Sequence, residues 1–237
     1  MGTTIEDIQY EEMWSELHFE AVMKNEAKKQ CIYIFVEGHS EEVAIQPLLE
    51  DCGLNFETDG IVVANYNGIG NLKHAIRLLR KTLSHDRPII VTFDDDIDGK
   101  RISNAIHDPL ITTFKIPYSP LVTYSNGEIG GSFEESFTPD CFIESSFKPR
   151  AIDSKVVEKE TDFRNVFNPS RPWVSQLASF ISSNGGNPDS INKVEIAKNM
   201  VESCSAIPKT FEELAKLVRQ VRITNPIKHP DDVEVKI

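Results

Sequence analysis

The chain has 237 residues, 40% of them hydrophobic and 26% charged, with a formal net charge of −12. That length suits one α/β domain with an appendage, or two small domains, and no apolar stretch or signal-peptide layout points to a membrane. The acidic balance argues against strong unaided binding to nucleic acid, which takes a basic face. It leaves room for a nuclease whose positive charge comes from metal ions or a basic partner.

Residues 5–29 have helical spacing, with Tyr10, Trp14, Leu17 and Ala21 on one face. This predicts a helix packed on the sheet edge, with docking of a partner as the sharper alternative. Cys31 to Val36 is a short β-branched run that reads as a buried strand. It ends in Glu37-Gly38-His39-Ser40-Glu41-Glu42, after which Val43, Ala44, Leu48 and Leu49 continue with helical periodicity. Ser40 is a candidate N-cap, and Pro47 predicts a kink or a later helix start. Glu37 at the strand tip and Glu41 on the first helical turn can point at one spot above the sheet. Glu42, Glu50 and Asp51 fall farther along the helix, away from that tip.

Gly60 to Asn65 is a second strand, followed by Tyr66-Asn67-Gly68-Ile69-Gly70-Asn71. The Gly-x-Gly there lacks the third glycine of a phosphate cradle and reads as a turn. Asn71 is a candidate cap for a helix from Leu72 to Leu83, and His85 to Pro88 turns into the third strand. That strand is Ile89 to Phe93, running into Asp94-Asp95-Asp96-Ile97-Asp98-Gly99. Asp94 and Asp96, two apart, share a side of an extended chain. Like charges held together call for a cation, and oxygen ligands suit Mg²⁺ or Mn²⁺ better than zinc.

The order strand, helix, strand, helix, strand predicts a parallel, right-handed α/β sheet. Both acidic groups fall at the carboxyl ends of strands, so they share the edge where ligands bind in such sheets. Lys100 to His107 is a short helix candidate. Thr112 to Ile116 and Leu121 to Tyr124 read as edge strands because of Pro117 and Pro120. Asn126 to Gly131 reads as a loop, and Ser132 to Asp140 sets Glu134 and Glu135 between phenylalanines. Residues 148–170 carry no clear pattern. Helices are expected over Trp173 to Ser182, Ile191 to Cys204 and Phe211 to Val221, and an extended or disordered tail from Asn225. Cys31, Cys52, Cys141 and Cys204 show no zinc or redox spacing and read as buried thiols of a reducing cytosol.

Val36-Glu37-Gly38-His39-Ser40-Glu41, a glycine-containing turn after the second strand, and Phe93-Asp94-Asp95-Asp96-Ile97-Asp98-Gly99 occur in that order. Together they resemble a TOPRIM domain, and more narrowly the TOPRIM nuclease of the OLD (overcoming lysogenization defect) family of phage-defence endonucleases. The resemblance spans about residues 31–140. It implies an α/β, Rossmann-like, mostly parallel sheet flanked by helices, with a helical C-terminal extension. The expected division is an N-terminal helix over 1–30, a catalytic domain over 31–147, helices over 148–224 and a tail over 225–237.

By the same resemblance, Glu37, Glu41, Asp94 and Asp96 match metal-binding acids, and Asp98 stands where many members hold another. Glu134, with Glu135 next in line, matches the later acidic motif. Lys193, with Lys198 as fallback, matches a C-terminal lysine. The implied chemistry is phosphodiester hydrolysis with two Mg²⁺ or Mn²⁺ ions, on DNA or RNA. OLD proteins carry an N-terminal ATPase, whereas this sequence contains no G-x-x-x-x-G-K-[ST] motif. The expectation is therefore a cytoplasmic nuclease effector working with a separately encoded ATPase in anti-phage defence, with a homo-oligomer left open. The competing expectation is a non-catalytic interaction module. A receiver-type signalling domain fits less well, because the first strand ends in Glu-Gly and no lysine-terminated strand completes its pattern.

Overall fold

The computed structural model describes residues 5–82 and 87–232. Four parallel strands form the central sheet: β1 (Ile32–Val36), β2 (Ile61–Asn65), β3 (Ile89–Asp94) and β4 (Ile111–Ile116), in spatial order β2-β1-β3-β4. Ile34 sits opposite Val63 on one side and Ile90 on the other, and Val91 opposite Thr113. The period-two alternation of a strand divides the sheet's side chains between two cores. Ile32, Ile34, Val36 and Ile90 face the larger one, and Tyr33, Phe35, Ile89 and Val91 the smaller.

The smaller core is closed by residues of α3 (Leu72–Thr82) and α4 (Ile97–Ser103). The larger is closed by α2 (His39–Asp51), α5 (Pro139–Ser146), α6 (Glu160–Val166), α7 (Trp173–Ser183), α8 (Lys193–Ser203) and α9 (Lys209–Thr224). The C-terminal helices thus pack in the same apolar core as the sheet. Phe142, Phe163, Phe167 and Trp173 pack there in tilted and edge-to-face pairs with ring centroids 5.3–5.7 Å apart. The patternless stretch at 148–170 contains a 3₁₀ turn (Val157–Lys159) and α6, too short for helical periodicity to be legible.

Several local expectations are corrected. Gly38, not Ser40, caps α2, and the Glu41 carboxylate accepts from the Gly38 N–H at 3.1 Å. Pro47 neither delays nor ends α2, whose buried Ala44, Ile45, Leu48 and Leu49 anchor it on both sides of the proline. A 3₁₀ turn, Ile69–Asn71, precedes α3, and the Asn71 amide donates back to the Asn67 carbonyl at 2.6 Å. Helix α4 begins at Ile97 because Asp96 caps it, accepting from the Gly99 N–H at 2.7 Å. Leu83, His85 and Asp86 lie outside the described residues.

Residue β4 positions do form an edge, but Leu121–Tyr124 does not extend the main sheet. Instead β5 (Val122–Thr123) pairs antiparallel with β6 (Ile129–Gly130), so the expected loop at 126–131 is the turn and second arm of a ribbon. The ribbon leans on the end of β3 through a bridge between Asp95 and Gly131. A Cβ at Gly130 would fall 1.8 Å from the Asp95 carbonyl oxygen, so only glycine permits this approach.

Helix α1 spans Ile5–Lys29 as expected, but the described part of its expected apolar face is largely exposed. Trp14 and Leu17 are 55% and 49% exposed, Ala21 is exposed, and burial begins only near Glu26 and Ala27. The Tyr10 side chain lies outside the described residues. The tail is ordered against α1 rather than free: Gln30 and Lys228 exchange two hydrogen bonds, at 2.8 and 2.9 Å, and His229 stacks on Phe19. Residues 233–237 lie outside the described residues. All four cysteines are free; Cys31 and Cys141 are buried, Cys52 and Cys204 half-buried. The Cys141 and Cys204 sulfurs, distant in sequence, meet at 2.7 Å.

Candidate active site

Parallel strands put their carboxyl ends on one edge, and β1 and β3 are neighbours. Glu37 directly follows β1, Asp94 is the last residue of β3, and Glu41 lies on the first turn of α2. Two further groups arrive from far along the chain. Glu134 stands on a 3₁₀ turn (Phe133–Ser136) and Lys193 opens α8, whose start is fixed by Asn192 accepting from the Glu195 N–H. Glu37, Glu41, Asp94, Glu134 and Lys193 line one cavity of about 260 Å³, with His39 and Ser40 at its rim. Gly99 keeps the β3 end in place, since a Cβ there would sit 2.1 Å from the Asp94 carbonyl oxygen. Tyr66 adds a brace, its hydroxyl donating to the Thr92 carbonyl at 2.8 Å.

The electrostatics of the cavity are unbalanced. Burial, reinforced by Glu41, Glu134 and Glu37, holds the Asp94 carboxyl well above the usual aspartate range, with Lys193 the opposing influence. Burial also pushes Glu41 up to about 7, helped by Glu134 and Glu37. Glu37 is raised by burial too, although it accepts weakly from the Asp94 N–H at 3.5 Å. Lys193 is raised, chiefly by Glu134, whose Oε1 lies 3.3 Å from its Nζ. One cation therefore faces four carboxylates. Asp94 Oδ1 is buried with no hydrogen-bond partner.

The remaining candidates divide. Asp96 stands just beyond the cavity: one oxygen caps α4, and its charge raises Glu37. Asp98 is turned to solvent and pairs with Arg101 at 2.7 Å, so the fold does not bring it to the cavity. Asp95 is buried between Lys100 and Lys115, each at 3.4 Å, as a structural ion pair. Glu135 meets Glu134 at the Ser132 hydroxyl but does not line the cavity; it accepts from the Ser132 and Trp173 N–H groups, both at 2.8 Å. Lys198 is exposed on α8, away from the cavity lining. Among acids placed on α2 away from the strand tip, Glu50 and Asp51 are exposed. Glu42 lies closer, receiving the His39 Nδ1 at 2.8 Å and the Asn65 amide at 3.2 Å.

Sequence reasoning passed over His39 and Ser132. The first sits inside the acidic motif and lines the cavity, and the hydroxyl of the second lies between Glu134 and Glu135, at 2.7 and 2.5 Å. The only signal for either was adjacency to an acid.

The donor set suits a divalent cation. It is all oxygen, includes an orphaned buried carboxylate oxygen, and would recover the charged forms that burial now disfavours. Among the described residues, no three acid, histidine or cysteine side chains stand in a finished coordination geometry. Lys193 instead occupies the electronegative side of the cavity.

Residues 32–96 match the family model described as Overcoming lysogenization defect protein-like, TOPRIM domain. The acidic core of the cavity falls inside a TOPRIM match. Glu37, Glu41, Asp94 and Asp96 all lie within the matched residues, whereas Glu134 and Lys193 lie beyond them. Among solved structures, the chain is similar to the C-terminal region of the Xanthomonas campestris pv. campestris OLD protein. That likeness has 15% identity and a TM-score of 0.49, covering 81% of this chain and 94% of the other. The C-terminal region of the Burkholderia pseudomallei OLD protein is also similar, at 15% identity and a TM-score of 0.48, covering 80% of this chain and 96% of the other. No curated protein matches. Among the described residues, no helix is long and apolar enough to cross a membrane.

Proposed function

We propose that this chain is a divalent-metal-dependent nuclease that hydrolyses phosphodiester bonds, with DNA the favoured substrate and RNA the alternative. The observation that carries the reading is the orphaned Asp94 Oδ1, buried among Glu37, Glu41 and Glu134 at the carboxyl edge of a parallel sheet. Such an arrangement is costly unless a multivalent cation joins it. Glu37, Asp94 and the oxygen of Asp96 not used in capping would hold one Mg²⁺ or Mn²⁺, and Glu41 with Glu134 a second. When bound, such a pair supplies Lewis acidity and a hydroxide-like nucleophile at neutral pH.

The chain's own residues do the rest. Lys193, anchored by Glu134, presents an ammonium where negative charge builds on the scissile phosphate. Ser132 orients Glu134 through its hydroxyl. The Tyr66 and Thr92 hydrogen bonds hold the end of β3 against β1. The net charge of −12 supports a further element of the reading, in which a separately encoded ATPase positions the substrate in anti-phage defence.

Purified protein incubated with plasmid or with tRNA, with and without Mn²⁺, tests the proposal. Mn²⁺-dependent cleavage that Asp94→Asn abolishes is the expected result. A folded chain inert on both substrates, alone and with its ATPase partner, would leave the interaction-module reading in its place.

A further inference from the structure

A second cavity, of about 340 Å³, opens at the other edge of the sheet, beside the amino ends of β1 and β3. Three stretches of chain far apart in sequence supply its four cations. Lys29 closes α1, Arg87 precedes β3, Arg222 sits in the last turn of α9, and Lys228 belongs to the docked tail. Gln30 and Asn225 add amide groups, and among the described residues no carboxylate lines it. In a chain of net charge −12, four cations converging on a cavity whose described lining holds no acid are a pronounced local reversal, even with Glu26 beside Lys29.

Their partners show how much of that charge is answered. Lys29 is paired with Glu26 at 2.6 Å. The Arg87 hydrogen bonds go to the Cys31 sulfur at 3.2 Å and the Lys28 carbonyl at 3.5 Å, both uncharged. Arg222 donates to the carbonyls of Gln30, Gly60 and Asn225 at 2.9–3.1 Å, and its Nε is buried without a partner. Lys228 is exposed at the rim, its backbone pinned by Gln30. The guanidinium groups are thus fixed in position by neutral acceptors; Arg222 feels the charge of Asp59, but neither guanidinium donates to a carboxylate. Guanidinium and ammonium groups held this way suit an oxyanion with several acceptor oxygens.

We propose that this cavity binds a phosphate group, either of a free phosphate compound or of a nucleic-acid backbone. The site is about one strand length, on the order of 17 Å, from the carboxylate cavity. It stands independently of the nuclease reading.

The test is calorimetric titration and thermal melting of the full chain in EDTA, with pyrophosphate and separately with a short single-stranded oligonucleotide. Wild type should bind at least one probe and melt at higher temperature with it. Arg87→Gln combined with Lys228→Gln should weaken binding at least about tenfold. Lys228→Glu alone, at an exposed position, should reproduce most of that loss if the double variant is unstable. Lys155→Gln, at an exposed position outside the cavity, should bind like wild type. Tighter binding of pyrophosphate identifies a free phosphate compound as the ligand class, and tighter binding of the oligonucleotide identifies a backbone. Failure of both probes to bind folded wild type would overturn the proposal. So would undiminished binding by the double variant, or equal loss in Lys155→Gln.

Discussion

The two edges of one sheet carry opposite charge, and the parallel strands explain why. Helices that follow parallel strands start near the carboxyl edge, and those that precede them end near the amino edge. Acids suit helix starts and cations suit helix ends. Glu41 and Asp96 accordingly stand at the starts of α2 and α4, and Lys29 and Arg222 at the ends of α1 and α9. The edges differ in how that charge is answered. At the amino edge, neutral carbonyls take up the donors of Arg222. At the carboxyl edge, carboxylates face one another across a single lysine, and burial drives Asp94 and Glu41 toward their protonated forms. Opposed like charges at a cavity are unstable in a way that carbonyl-bound cations are not. This difference marks the carboxyl edge as the place for a multivalent cation.

Neutralising the centre of the carboxyl edge should break the contrast most severely. Asp94→Asn removes a charged oxygen and should lower Mn²⁺-dependent cleavage by about a hundred- to a thousandfold. The same change relieves repulsion, so the metal-free variant should melt above metal-free wild type. Added Mn²⁺ should raise the melting temperature of wild type but not of the variant. A wild-type curve indifferent to millimolar Mn²⁺ would argue strongly against a metal site.

Titration should sharpen the contrast. Glu41 has a folded pKa of about 7 against an ordinary 4.5, so the folded chain binds more protons than the unfolded one between those values. Stability of the metal-free protein should therefore fall as pH rises from about 4.5 to about 7, then level off. The shift corresponds to a loss on the order of 3 kcal/mol from this group. Urea unfolding across pH in EDTA measures it, and Glu41→Gln should flatten the slope.

A smaller effect separates the neighbouring glutamates. Glu135→Gln weakens its bonds to the Ser132 and Trp173 N–H groups, and should cost about 1–3 kcal/mol of stability in denaturant unfolding. Glu134→Gln should instead lower cleavage, with partial rescue by added Mn²⁺. Smallest is the change at Lys198, where substitution by Gln should alter stability by no more than about 0.5 kcal/mol and leave cleavage intact. Lys193→Gln should reduce cleavage. Equal behaviour of the two lysine variants would remove Lys193 from the site.

The sequence by itself determined the parts of this protein that depend on short-range pattern. The β-branched runs at 32–36, 61–65 and 89–94, each bounded by glycine, proline or acids, can bury themselves only as strands, and helical segments between them require parallel pairing. Strand polarity then sends Glu37, Glu41 and Asp94 to one edge, so half of the cavity was legible without coordinates. The other half, Glu134 and Lys193, was named only through the family resemblance and not by the local pattern. Nothing local distinguishes Glu134 from Glu135, or Lys193 from Lys198, since each pair differs only in which way a short turn or helix faces. Packing of the 3₁₀ turn against α7, and of α8 against α2 and α5, directs one member of each pair into the cavity. Asp98 shows the same limit from the other side: its spacing fits the acidic motif, but capping by Asp96 starts a helix that carries it out to Arg101. The cationic cavity was illegible for the same reason, being assembled from residues 29, 87, 222 and 228, which only the tertiary fold brings together. Local pattern reports how a segment buries its own apolar face; which distant side chains share a cavity is decided by how those faces pack.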